Sequence, residues 1–112
     1  MLNVIKKTIL ISSTLLLVGC AKGKDFYEKA VDDLKTRLVN PDSMKVIASD
    51  GYELDYVYYI RINIEAVNTD NQAKRGTYYY HSEGQQVIFD GENDRLYFVA
   101  SLSSESHHYT YK

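Results

Sequence analysis

A chain of 112 residues with 13 Lys and Arg against 15 Asp and Glu carries a formal net charge of −2, and its length limits it to one domain. No basic stripe exists to neutralise phosphates, which argues against nucleic acid as a partner. The acid excess is too small to imply disorder.

Residues 1–19 combine a basic start at Lys6 and Lys7 with an apolar run from about Thr8 to Val18. A membrane-spanning helix needs roughly 20 apolar residues, and this run has about half that number, the length of a signal-peptide core. It ends in Leu17-Val18-Gly19-Cys20, which contains the only cysteine. Together, the charge, the apolar core and the Leu-x-Gly-Cys end resemble the lipobox of bacterial lipoprotein precursors. That resemblance implies cleavage before Cys20, a thioether-linked diacylglycerol on Cys20, and attachment to the extracytoplasmic face of a cell membrane, with a Gram-positive host favoured. Two acyl chains, at about 0.8 kcal/mol per buried methylene, hold a protein stably on a bilayer.

Cleavage leaves 93 residues with 11 Lys and Arg against the same 15 acids, a net charge of −4. With the one thiol acylated, no intramolecular disulfide is available. Residues 20–24 then form the anchor and a short tether, so the domain sits close to the membrane, with Lys22 and Lys24 facing headgroups.

Asp25 with Glu28 reads as a capping box opening a helix. Phe26, Ala30, Leu34 and Leu38 recur every four residues, flanked by Tyr27 and Val31, and predict one buried helix face. The Asp33–Arg37 pair lies on the opposite, solvated side in the favourable acid-first order. Pro41 ends the helix and permits one further turn capped by Asn40. The run Leu38 to Lys45, followed by tyrosine-rich strands, is similar to a junction in small uncharacterised lipoproteins of low-GC Gram-positive bacteria, a resemblance that implies no activity.

From Met44 the period becomes two. Asp50-Gly51 predicts a hairpin turn joining Lys45–Ser49 to one long strand in which Tyr52, Leu54, Tyr56, Tyr58, Ile60, Ile62, Ile64 and Ala66 share the buried face. Further strands are predicted at Thr77–His81, Gln85–Phe89 and Arg95–Leu102, with a polar loop over 68–76. The expected fold is α+β: an N-terminal helix packed on an antiparallel meander of about five strands, spanning residues 25–102, with 103–112 a flexible tail.

Candidate functional residues fall on the sheet face turned away from that helix. Val57, Tyr59, Arg61 and Tyr97 place tyrosine and arginine, the types enriched in interface hot spots, where solvation alone calls for polar residues. Cross-strand aromatic packing explains the same pattern without a partner. His81, His107, His108 and Glu105 are zinc-ligand types, but adjacent histidines on an extended segment diverge, so no metal site is assigned. The loop Asp90-Gly91-Glu92-Asn93-Asp94 departs from a calcium loop by placing Arg95 at its sixth position. No catalytic motif and no cofactor-binding motif is present. Serines 101, 103, 104 and 106 beside His107 lack the preorganisation that a nucleophile and base require.

The expected function is therefore non-catalytic: an interaction module on the outer face of the cell membrane that binds an envelope protein or a cell-wall component. The alternative is an immunity or superinfection-exclusion lipoprotein that occludes a membrane target.

Overall fold

A computed structural model describes residues 22–111; the expected signal segment and Cys20 lie outside these residues. Among the described residues the first element, α1, is helical over 22–36. Phe26, Tyr27, Ala30 and Leu34 are all less than 8% exposed, as the four-residue spacing predicts. Lys22, Gly23 and Lys24 are already helical, so they do not form the expected tether. Asp25 is an interior helix residue and pairs with Lys29 one turn on, at 3.2 Å, rather than capping the start. At the other end the 3-10 turn Pro41–Ser43 ties the helix exit to the sheet. Asn40 Nδ2 donates to the Val67 carbonyl at 3.1 Å, and the Val67 N–H donates to Ser43 Oγ at 2.9 Å.

Five strands follow: β1 (Lys45–Leu54), β2 (Val57–Val67), β3 (Ala73–Glu83), β4 (Gln86–Gly91) and β5 (His107–Thr110), with the helix α2 (Arg95–Leu102) between the last two. All pairings are antiparallel, in the order β4-β3-β2-β1-β5. The α+β class holds, with α1 on a five-stranded sheet, but the fifth strand is not the expected one. Arg95–Leu102 is helix, and the supposed tail supplies β5, which pairs Glu53 to Asp50 with His107 to Thr110.

The first hairpin also turns elsewhere. Asp50 and Gly51 lie inside β1, and the chain reverses at Asp55-Tyr56, both with positive φ (52° and 64°), the left-handed pair that a tight hairpin requires. Because this reversal uses two residues, Tyr52 faces Tyr59 and not Tyr58. Tyr52 therefore belongs to the sheet face away from α1, contrary to the reading of one continuous even-numbered face. Gly51 is needed mid-strand instead: a Cβ there would lie 2.5 Å from the Tyr59 carbonyl oxygen and 3.0 Å from the Tyr111 ring, a close approach of the kind that selects glycine in strands.

The core lies between α1 and the sheet. Ile60, Ile62, Ile64 and Tyr80 are at most 2% exposed and pack with Ala30 and Leu34. Tyr27 stacks on Tyr111 with ring centroids 4.9 Å apart and an interplanar angle of 6°. The Asp33–Arg37 pair closes at 2.8 Å, but it is not simply solvated. The Tyr80 hydroxyl donates to Asp33 at 2.7 Å, and Arg37 lies 3.9 Å from the centroid of the Phe89 ring.

Candidate functional site

Strand register arranges the face opposite α1 in cross-strand rows. His108, Tyr52, Tyr59, His81 and Ile88 form one row, and Thr110, Asp50, Arg61, Tyr79 and Gly91 the next. An eight-residue helix has little stability alone, and α2 is held on these rows through Tyr97 and Ala100, at 7% and 1% exposure. The Tyr97 ring meets Tyr52 edge-on at 5.2 Å and Tyr79 at 5.5 Å, and the Arg61 guanidinium lies 5.1 Å from its centroid. Such aromatic pairs contribute about 0.5 to 1.5 kcal/mol each beyond the area they bury.

Arg61 is fixed in turn by Asp50, whose two oxygens accept from Nε and Nη2, both at 2.8 Å. His108 reaches the same carboxylate at 3.2 Å. Burial opposes ionisation of Asp50, but the His108 and Arg61 hydrogen bonds outweigh it and hold the carboxyl below its ordinary range. Burial, with the Asp50 charge adding to it, pushes the Tyr97 phenol far up, so it stays neutral.

Of the four residues selected from sequence, Tyr97 is thus buried under its own helix rather than offered to a partner. Arg61 is committed to Asp50 and to that ring, although its side chain remains 45% exposed. Val57 and Tyr59 are half-buried. What the structure brings together here is the seat of α2. The expectation of a sheet face with Tyr97 open to a partner is corrected in part, because the segment read as a strand turns back as α2 over the Tyr97 end of that face.

Beside this seat His81 sits between two carboxylates, its Nδ1 at 2.8 and 2.9 Å from the Asp90 oxygens and its Nε2 at 3.1 Å from Glu83. Burial disfavours the charged ring, but the hydrogen bonds to Asp90 and then Glu83 prevail and raise its pKa. The two carboxylates approach opposite ring nitrogens and cannot share one ion. Among the described residues no group of three His, Cys, Asp or Glu is placed to hold a metal. Asp90 is spent on His81, and Asn93 Oδ1 accepts from the Arg95 N–H at 3.1 Å, so the acidic loop serves as the turn into α2. His107 and His108 are strand residues of β5.

The unexplained surface is the outside of α2. Leu96, Phe98, Val99 and Leu102 are 42 to 69% exposed, four apolar side chains on an eight-residue helix that is already docked by its other side. Sequence reasoning missed this face because it assigned the segment to the sheet. Beyond α2, an open groove is lined by Ala48, Arg61, Asn63, Thr77 and Tyr79. The chain matches no protein-family model, and no curated protein or solved structure is significantly similar to it.

Proposed function

We propose that this protein is a lipoprotein anchored through diacylglyceryl-Cys20 to the outer face of the cell membrane, acting there as a non-catalytic interaction module. The observation that carries the binding role is the outward face of α2. Large apolar side chains left exposed together on a small domain mark an interaction surface, and Phe98 with Leu96, Val99 and Leu102 supplies the apolar anchor of a protein contact. The anchoring is supported by the basic start, short apolar core and Leu-Val-Gly-Cys end of the first 20 residues. Helix from residue 22 onward puts the folded domain within two residues of the acylated position, so its partner is an envelope protein at the membrane surface.

Replacing Phe98 and Leu102 by glutamate tests the binding role. The double variant is expected to fold, as judged by circular dichroism, and to lose partner capture in a membrane crosslinking experiment. Capture equal to wild type contradicts the assignment of α2. Anchoring is tested separately by Cys20→Ser, which should leave an uncleaved or mislocalised precursor without acyl mass.

A further inference from the structure

The end of the domain nearest Lys22, the first described residue of α1, is built from two tight turns and an exposed aromatic side chain. Lys22 shares a small cleft with Phe26, Glu53, Tyr56, Tyr58, Gly84 and Gln85, and Lys29 Nζ donates to the Gln85 carbonyl at 2.9 Å. The β1–β2 reversal at Asp55-Tyr56 and the β3–β4 turn at Gly84-Gln85 therefore lie beside the first turns of α1. At this tip Tyr56 is 93% exposed, the most exposed large apolar residue among the described residues. It also has a φ of 64°, a left-handed conformation that is a genuine outlier for a bulky residue and for which glycine or asparagine is the ordinary choice. A tyrosine held there keeps nearly all of its ring outside the domain.

Cys20 precedes Lys22 by two residues, and two extended residues reach at most about 7 Å. We infer that Tyr56 inserts at the lipid headgroup level beside the acyl anchor, so that the domain stands on its hairpin tip with the sheet rising away from the bilayer. Tyrosine concentrates at membrane–water interfaces because its ring is apolar and its tip polar. Acidic groups outnumber basic ones at this end, Asp25, Glu53, Asp55 and Glu83 against Lys22, Lys24 and Lys29, so the contact is aromatic and does not draw on attraction to anionic lipid. In this orientation the outer face of α2, on the far side of the sheet from α1, points sideways along the membrane. The inference rests on the acylation of Cys20.

The chain contains no tryptophan, so Tyr56→Trp and, separately, Phe98→Trp each create a single fluorescent probe at an exposed position. The acylated full-length variants are reconstituted in phosphatidylcholine vesicles with and without bromine on the acyl chains, and the acyl mass on Cys20 is verified in the same samples. The probe at position 56 should be blue-shifted and lose most of its emission to the brominated lipid, while the probe at 98 keeps its own. With Cys20 acylated, an unquenched probe at 56, or equal quenching at both positions, overturns the orientation alone. An unmodified Cys20 overturns the anchored reading and the orientation with it.

Discussion

The two faces of the sheet are covered to different depths. Beneath α1 lie Tyr58, Ile60, Ile62, Ile64 and Tyr80, packed with Phe26, Tyr27, Ala30 and Leu34 in one buried cluster, whose stability scales with the area it removes from water. Beneath α2, Tyr52, Tyr79 and Arg61 contact a single buried ring, Tyr97, and Asp50 joins Arg61 to His108 behind it. The α1 cluster buries nine of the described residues, whereas α2 buries only Tyr97 and Ala100, and a seat with so few buried contacts can open as a unit. The α1 face specifies the fold. The α2 face holds a short helix whose outer side is free to engage something else.

Substitution at the centre of each face separates the two most sharply. Leu34→Ala should cost about 2 to 5 kcal/mol, the range for truncating a fully buried leucine, and should lower the melting temperature of the whole domain in one transition. Tyr97→Ala removes a large buried ring, yet its main effect should be local: loss of α2 ordering, seen as increased proteolysis between 91 and 106, with β2 and β3 intact. A single global transition lowered as far as that of Leu34→Ala would show that α2 belongs to the main core.

Protonation offers a gentler perturbation of the α2 side. His81 has a folded pKa raised above its ordinary value by Asp90 and Glu83. Its contribution to stability is therefore fully present below about pH 6.5 and is lost as pH rises through the folded value. His81→Gln should flatten the decline of melting temperature with rising pH across that window; an unchanged slope would mean the ring is neutral in the folded state. Asp50, with its pKa lowered, acts with the opposite sign: its contribution is present above about pH 3.9 and is lost as pH falls through its folded value.

The α1 face was readable from sequence and the α2 face was not, for reasons that lie in particular residues. Phe26, Ala30 and Leu34 repeat at the helical period, and Tyr58 to Ile64 alternate at the strand period, so each burial pattern is local. The turn was misplaced because Asp50-Gly51 is the stronger hairpin dipeptide, while Tyr52 and Leu54 continue the even-numbered series across the real reversal at Asp55-Tyr56. For Arg95–Leu102, Leu96, Phe98, Ala100 and Leu102 alternate as a strand would, and a short apolar run does not distinguish strand from helix by period. Its helical state depends on Tyr97 finding Arg61 and Tyr79, which are distant in sequence. The polar segment His107–Thr110 likewise becomes a strand only because β1 presents an unpaired edge to it. Val57, Tyr59 and Arg61 lie on the face opposite α1 through strand register alone, but what covers that face is a tertiary fact.

Native-state amide hydrogen exchange on the purified protein compares the two faces most directly. Amides of β2 and the middle of α1 should exchange only through global unfolding. Those of α2 should exchange faster, through a local opening that leaves β2 protected and that Arg61→Ala accelerates. Equal protection of α2 and β2, with no effect of Arg61→Ala on α2, would contradict the division of the domain into a fold-bearing face and a separable helix.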